Sequence, residues 1–273
     1  MSSINNLDGL IAVVTGSAQG LGLGIATELG RRGARVVLAD VQAEKVASAA
    51  AGLAEQGLGA QAVALDITDS AQVTSTYEAI AAEHGRLDIA VNNAGLGQDV
   101  IPIVELPDDQ WDRVIGVTLT GTFYCCRAAG AIMERQESGS IVNIASVNGM
   151  NPAALVAAYN VAKAGVISLT KTLAIELAAY GVRVNAVSPG PVYTDFNQRV
   201  MAQRCESLNI TEEEMLERVR KAVPLGRWGE PEDIAGAVAF LCDPGTSWIT
   251  GEVLRVSGGL EGVSAAPPKR AKK

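Results

Sequence analysis

The chain has 273 residues, and its 22 Lys and Arg against 30 Asp and Glu give a formal net charge of −8 at pH 7. This acidic balance argues against a surface that chiefly neutralises phosphates, so we expect no nucleic-acid partner. Hydrophobic residues make up 48% and charged residues 19% of the chain, a composition that excludes a disordered protein and predicts a large core.

Short apolar segments alternate along the chain with longer, Ala-rich segments of helical periodicity. We predict seven strands, at residues 10–15, 35–39, 60–65, 87–91, 140–145, 182–187 and 253–256. We predict the main helices at residues 20–32, 41–56, 70–84, 108–135, 152–180 and 230–241. Near-continuous apolar strands that alternate with helices form parallel sheets covered on both faces. The predicted fold class is therefore α/β, a doubly wound parallel sheet of the Rossmann type.

No linker divides the sequence, so we predict one domain over residues 1–260. Residues 189–229 form a long segment after the sixth strand, and long segments at strand ends are usually functional lids. This segment contains a short helix that begins near Thr211, where Thr211 and Glu214 fit the capping-box pattern. Residues 261–273 end in P-P-K-R-A-K-K, which predicts a basic, disordered tail.

A glycine-rich segment, T-G-S-A-Q-G-L-G, joins the first strand to the first helix. Gly16 permits a tight turn, and Gly20 and Gly22 allow a pyrophosphate to approach the backbone at the helix N-terminus. Gln19 and Leu21 complete this predicted dinucleotide loop. The spacing lacks the Lys of a phosphate-binding P-loop, so a P-loop nucleotide hydrolase is excluded.

The second predicted strand runs into Asp40 and Val41. A carboxylate at this point can accept hydrogen bonds from the adenosine ribose and would repel a 2′-phosphate. Neither Val41 nor Gln19 is basic, so the sequence favours NAD over NADP as the cofactor. A simple capping role for Asp40 is the alternative.

Tyr159 and Lys163 stand four residues apart on one predicted helix and hence share a face. A phenol has a pKa near 10, and a nearby ammonium group lowers that pKa. Ser146, at the end of the fifth strand, could hold a substrate oxygen beside the phenol. Each feature alone is also compatible with an ordinary helix surface or turn.

These segments occur in one order with N-N-A-G at residues 92–95 and S-P-G-P-V-Y-T at residues 188–194. Together they resemble the classical short-chain dehydrogenase/reductase family over nearly the whole chain. The resemblance implies hydride transfer between NAD and a secondary alcohol or its ketone. Tyr159 would be the general acid and base, Lys163 would lower the pKa of Tyr159 and hold the nicotinamide ribose, and Ser146 would orient the substrate. Further implied cofactor contacts are Asp66, Ile67, Asn92, Ala94, Gly95, Pro189, Gly190, Val192 and Thr194.

One position departs from the family pattern. Thr118 stands in V-T-L-T-G-T-F where relatives usually carry an Asn thought to hold a proton-relaying water. A threonine hydroxyl could hold a water too, but with a shorter reach, so we count Thr118 with Ser146, Tyr159 and Lys163 as a candidate catalytic residue and leave the relay open. A non-catalytic dinucleotide-binding relative is therefore one alternative, and a 3-oxoacyl-type ketone reductase is another.

The substrate class stays open. The candidate substrate residues are Gln98, Ser146, Asn148, Asn151, Tyr159, Phe196 and Met201. The amides in this set suit a sugar or polyol, whereas its Phe and Met suit an apolar alcohol.

Metal, membrane and assembly expectations follow from the same sequence. One His and four Cys without a C-x-x-C pair predict no metal site. The sequence contains no run of about 18 apolar residues, so we predict no membrane span. Residues 1–8 lack an export signal, so we expect a cytoplasmic protein. The resemblance implies a homotetramer whose subunits meet through small residues of the two long helices.

Overall fold

The computed structural model of the chain describes residues 6–262, apart from the side chains of residues 195–199 and 207. The predicted tail therefore lies outside the described residues from residue 263 onward. In the described part, seven strands form one sheet in the order β3-β2-β1-β4-β5-β6-β7, and all the neighbouring pairs are parallel. The strands are β1 (Ile11–Thr15), β2 (Arg35–Asp40), β3 (Ala60–Ala64), β4 (Ile89–Asn92), β5 (Gly139–Ile144), β6 (Val182–Pro189) and β7 (Val253–Val256).

Helices connect the strands and cover both faces of the sheet. They are α1 (Gly20–Arg31), α2 (Ala43–Glu55), α3 (Ser70–His84), α4 (Asp108–Ile115), α5 (Thr122–Gln136), α6 (Val147–Met150), α7 (Ala157–Leu177), α8 (Asp195–Leu208), α9 (Glu212–Ala222) and α10 (Pro231–Cys242). Short 3-10 turns lie at Ile103–Glu105, Ala178–Tyr180 and Pro244–Thr246.

The apolar residues of β1 show why the sheet is covered on both sides. Ala12 and Val14 pack into a core with residues of α1, α2 and α10. Ile11 and Val13, which point to the other face, pack with residues of α3, α5 and α7. Alternate side chains of one buried strand thus serve two cores. The predicted doubly wound parallel sheet is confirmed.

Two predicted helices differ from the structure. The helix predicted at 108–135 changes to a π-helical turn at Gly116–Gly121 between α4 and α5. The helix predicted to begin at residue 152 begins at Ala157, because Leu155 has a left-handed φ of 71° that a helix cannot contain. The chain forms the short helix α6 before this point.

The predicted lid contains two helices. The capping box of Thr211 and Glu214 is present at the start of α9. Helix α8 was not predicted, because its described buried apolar side chains, Met201 and Cys205, are too few to give a clear periodicity.

Candidate active site

A cavity of about 1010 Å³ lies at the carboxyl ends of the strands. It extends across the β1–β4 pair, where the strand order reverses, and this switch point is where doubly wound sheets bind ligands. The volume is sufficient for a dinucleotide together with a small molecule. Helices α8 and α9, which lie in the segment predicted to be a lid, also contribute lining residues.

Most of the residues chosen from the sequence line this cavity. They are Gly16, Gln19, Gly20, Leu21, Gly22, Asp40, Val41, Asp66, Ile67, Ala94, Gly95, Gln98, Ser146, Asn148, Tyr159, Lys163, Pro189, Gly190, Val192, Thr194 and Met201. Three others, Asn92, Thr118 and Asn151, are not among the lining residues. Phe196 belongs to α8, and its side chain lies outside the described residues.

The glycine loop is held against β4. Gly16 has a left-handed φ of 63°, and a Cβ on Gly22 would lie 2.2 Å from the carbonyl oxygen of Gly16. The Asn93 amide nitrogen donates to the carbonyl oxygens of Thr15 and Gly16, both at 3.0 Å. A Cβ on Gly20 would point toward Thr194 with its nearest atoms 3.9 Å away, so the absence of a side chain leaves room for a ligand. The loop thus brings the α1 N-terminus to the cavity wall.

Asn92 lies below the cavity instead of in its wall. It is the last residue of β4, and its side chain points into the core, where Nδ2 donates to Oδ1 of Asn143 at 2.8 Å. The next residue, Asn93, holds the loop and lines the cavity. Successive side chains of a strand point to opposite sides, so Asn92 and Asn93 face different parts of the protein. To predict which of the two lines the cavity, one must know at which residue β4 ends.

Asp40, the last residue of β2, is buried and lines the cavity beside the glycine loop. Its carboxylate accepts hydrogen bonds from the backbone amides of Ala18 at 3.2 Å and Gln42 at 3.0 Å. Lys45, which the sequence reasoning did not consider, donates from Nζ to Oε1 of Gln19 at 3.4 Å. A carboxylate and a cation therefore lie on the same side of the glycine loop.

Three of the four residues predicted to be catalytic, Ser146, Tyr159 and Lys163, come together where β5 ends and α7 begins. Ser146 follows β5, and its hydroxyl accepts a hydrogen bond from the Asn148 amide at 3.2 Å. Tyr159 and Lys163 lie one turn apart on α7, with the Lys163 ammonium 5.8 Å from the centroid of the Tyr159 ring. The Lys163 ammonium donates to the carbonyl oxygen of Ile144 at 2.6 Å. This bond ties α7 to the end of β5.

Burial governs the protonation of both groups on α7. It raises the pKa of Tyr159, while a hydrogen bond with Ser146 acts in the opposite direction. Burial lowers the pKa of Lys163 to about 8. The phenol therefore holds its proton at neutral pH, and the lysine lies closer to neutrality than an exposed lysine does.

Gln98 connects the loop after β4 to the start of α7. Its side chain is 2% exposed, and its Oε1 accepts hydrogen bonds from the amides of Ala158 at 2.7 Å and Tyr159 at 3.3 Å. Its Nε2 donates to the carbonyl oxygen of Leu155 at 3.4 Å. Val156, the residue at the helix N-cap, offers no polar side chain, so Gln98 supplies the cap from a distant segment.

Thr118 is completely buried in the π-helical turn. Its Oγ1 accepts a hydrogen bond from the Leu96 amide at 3.0 Å and donates to the Leu96 carbonyl oxygen at 3.3 Å. A hydroxyl has a single proton to donate, and here that proton is used on Leu96. The structure thus places Thr118 behind the cavity wall.

Asn151 is directed away from the cavity, because its Nδ2 donates to the carbonyl oxygen of Glu261. The lid instead adds residues that the sequence reasoning missed: Val200, Arg204, Met215, Val219 and Trp228. The helical spacing of Met215 and Val219 was the signal that could have identified them.

No group of three or more His, Cys, Asp or Glu side chains within the described residues could hold a metal ion. In the same part of the chain, no helix is both long enough and apolar enough to cross a membrane. All four cysteines are free and buried.

Comparison with known proteins establishes the family. A family model described as "Enoyl-(Acyl carrier protein) reductase" matches residues 16–261. With the parallel sheet, the glycine loop and the Ser146–Tyr159–Lys163 group, this match shows that the chain belongs to the short-chain dehydrogenase/reductase family of oxidoreductases.

Curated relatives cover almost the whole chain. An uncharacterized oxidoreductase, YxjF, of Bacillus subtilis is 41% identical over 91% of this chain and 97% of its own length. A sorbitol dehydrogenase of Cereibacter sphaeroides is 39% identical over 93% of this chain and 98% of its own. A 3-oxoacyl-[acyl-carrier-protein] reductase of Synechocystis is 37% identical over 92% of this chain and 96% of its own length.

Solved structures agree with the fold and include both dinucleotides. NAD+-bound xylitol dehydrogenase superposes with a TM-score of 0.88 at 32% identity and covers 93% of this chain and 99% of that one. A variant of actinorhodin polyketide ketoreductase with NADPH superposes with a TM-score of 0.89 at 34% identity, covering 93% and 98%. The family therefore includes proteins with either cofactor and with different substrates.

Proposed function

We propose that the chain is an NAD-dependent oxidoreductase that interconverts a secondary alcohol and its ketone. The observation that carries this proposal is the position of Ser146, Tyr159 and Lys163 in one cavity with the glycine loop. A dinucleotide-binding protein without catalysis has no need of a phenol, a hydroxyl and an ammonium group at the same point. The non-catalytic alternative is disfavoured for that reason.

The residues present fit a nicotinamide dinucleotide. The α1 N-terminus presents backbone amides without a capping side chain at Gln19, and Gly20 leaves the space above it open; both features suit a pyrophosphate. Asp40 keeps lone pairs for the ribose hydroxyls besides the two amides that it binds. When bound, the cofactor supplies or accepts the hydride.

The protein then supplies position and a proton. Ser146 hydrogen-bonds the substrate oxygen, and Tyr159 exchanges a proton with that same oxygen. Because burial raises the pKa of Tyr159, the phenol is in its acid form at neutral pH. This form suits proton donation to a ketone, whereas alcohol oxidation requires the phenolate and gains from alkaline pH. Lys163 holds a positive charge close to the developing phenolate.

NAD is proposed over NADP because the buried carboxylate of Asp40 lies at the adenosine end of the cavity. It would repel a 2′-phosphate. Lys45 favours NADP instead, because its ammonium group hydrogen-bonds Gln19 on the glycine loop and could attract a 2′-phosphate. It does not itself line the cavity, so we give the carboxylate the larger weight.

Purified protein should form NADH from NAD with a secondary alcohol and consume NADH with the matching ketone. The test measures absorbance at the NADH band for polyols, hydroxy acids, and aliphatic and cyclic alcohols. Ser146→Ala should lower kcat by about 100-fold or more, as expected for loss of a group that positions the reacting oxygen. Ser168→Ala, a serine on α7 that does not line the cavity, is the control. An unchanged kcat for Ser146→Ala would contradict the assignment.

We propose a homotetramer for the native assembly. Phe123 on α5 and Val161 on α7 are 40% and 47% exposed, and Trp248 is 98% exposed. Large exposed apolar side chains beside small residues favour close contact between subunits. Light scattering at micromolar concentration should give four times the mass of the chain, and a monomer would contradict the proposal.

A further inference from the structure

We propose that the substrate is an apolar secondary alcohol or its ketone, and not a polyol; this inference rests on the proposed function. The candidate residues chosen from the sequence included groups for both classes. The structure separates them by which side chains line the cavity and which of those already have partners.

Among the side chains that the structure describes, the part of the cavity wall formed by the lid and by the chain after β6 and β7 is largely apolar. Val192 follows β6, and Met201 lies on α8 of the lid. Met215 and Val219 line the cavity one turn apart on α9, and Leu260 lies on the chain after β7. Met201 and Met215 belong to one buried cluster that joins the two lid helices, with Val219 packed against it. The lid thus presents hydrocarbon to a molecule held at Tyr159.

The amides that could bind a polyol are largely committed elsewhere. Both hydrogen bonds accepted by Oε1 of Gln98 come from the α7 backbone, and its Nε2 points to Leu155. Asn151 does not line the cavity and is bound to the Glu261 carbonyl. Of the three predicted amides, Asn148 alone remains a cavity-lining group without these commitments. Arg204 adds a charge to the lid wall but has an interaction within the protein.

This arrangement disfavours a polyol for a physical reason. A hexitol brings several hydroxyl groups besides the reacting one, and each of them loses water when the lid encloses it. A buried hydroxyl without a partner lowers affinity by roughly tenfold or more. A ring or alkyl chain gains from contact with the same wall. The wall should therefore discriminate in favour of the apolar substrate.

The test compares 4-methylcyclohexanol with sorbitol as substrates for NAD reduction, and the matching ketone with fructose for NADH oxidation. The apolar pair should show kcat/KM values at least about 100-fold higher, equivalent to two unpaired hydroxyl groups. Equal values, or a preference for the polyol pair, would overturn the proposal.

Two variants locate the effect in the lid. Val219→Thr keeps the side-chain shape and should lower kcat/KM for 4-methylcyclohexanol by about 5- to 10-fold, chiefly through KM. Met215→Gln should act in the same direction, and neither variant should change the Kd for NADH. Met150→Gln is the matched control, because Met150 is 43% exposed and does not line the cavity. Equal effects of Met150→Gln and Met215→Gln would contradict a role of the wall.

A calorimetric measurement separates this proposal from the proposed function. Loss of turnover for every substrate class, with NADH still bound, would refute the proposed function. The protein saturated with NADH should even then bind 4-methylcyclohexanol more tightly than sorbitol, and Val219→Thr should weaken that binding. Tighter binding of sorbitol, or no binding of 4-methylcyclohexanol, would refute the apolar wall.

Discussion

Gln98 accepts a hydrogen bond from the backbone amide of Tyr159, 61 residues further along the chain. The same oxygen accepts the amide of Ala158. The α7 N-terminus therefore has its cap supplied by the loop that follows β4, which also lines the cavity. The turn of α7 that carries Tyr159 is thus tied to the loop after β4.

Gln98→Leu should consequently reduce kcat by about tenfold or more, since loss of the cap frees the first turn of α7 and moves Tyr159. It should also lower the free energy of unfolding by about 1–2 kcal/mol. Gln98→Glu retains an acceptor oxygen and should recover most of kcat. The measurement is kcat at saturating cofactor and substrate, with NADH affinity as the control. A Gln98→Leu enzyme with wild-type kcat would show that the cap does not position the phenol.

Asp40 and Lys45 give a prediction about cofactor choice. Asp40→Ser should reduce the ratio of kcat/KM for NAD to that for NADP by about tenfold or more, because it removes a charge that repels a 2′-phosphate. Lys45→Gln should change the ratio in the opposite direction, toward NAD. Steady-state kinetics with both cofactors measure this ratio. If Asp40→Ser leaves the ratio unchanged, another group selects the cofactor.

The buried Lys163 predicts a pH dependence of stability. The unfolded chain keeps this proton up to a pKa near 10.5, whereas in the folded chain the pKa is about 8. The unfolded state therefore binds more protons between these values, and the contribution of Lys163 to the free energy of unfolding rises with pH across that window. The full shift corresponds to about 3 kcal/mol.

Lys163→Met should remove this rise. Urea denaturation of the wild type and the variant at pH 7.0 and pH 9.5 isolates the contribution of Lys163, because the buried cysteines are present in both proteins. The free energy of unfolding of the wild type minus that of the variant should increase by about 2 kcal/mol between pH 7.0 and pH 9.5. A difference that stays constant with pH would mean that Lys163 is not held in a desolvated site.

Thr118 should act on the cavity through Leu96. Thr118→Val leaves the Leu96 amide and carbonyl without their partner, which should cost about 1–3 kcal/mol of stability. We also expect the Kd for NADH to rise several-fold, since residues 94–97 line the cavity. Thr118→Ser keeps the hydroxyl and should resemble the wild type in both measurements. Wild-type stability of Thr118→Val would contradict this positioning role.

The fold could be predicted from the sequence because local and tertiary preferences agree. The inner strands, such as β1 and β4, consist mostly of buried apolar residues, which suits a sheet covered on both faces. The start of α7 could not be predicted, because it depends on the left-handed Leu155 and on the cap from Gln98. Such contacts join segments that are about 60 residues apart, and no local pattern reports them.

Some residues of the candidate site could likewise be identified from local sequence, whereas others depend on tertiary packing. Gly16, Gly20 and the Tyr159–Lys163 pair carry their chemistry in local spacing, so they could be identified before the structure. The choice between Asn92 and Asn93 depends on which way a strand-end side chain points. The apolar wall of Met215 and Val219 depends on how the lid packs over the cavity, and lid packing is a tertiary property.

The central claim is that Tyr159 exchanges the proton with the substrate oxygen, and Tyr159→Phe tests it most directly. The measurement is NADH turnover with the best alcohol and ketone, together with NADH affinity by fluorescence titration. Tyr180→Phe, at an exposed tyrosine that does not line the cavity, is the matched control. We predict a loss of kcat by about 1000-fold or more in Tyr159→Phe, with NADH affinity within about threefold of the wild type. Turnover that survives in Tyr159→Phe at the level of Tyr180→Phe would contradict the assigned mechanism.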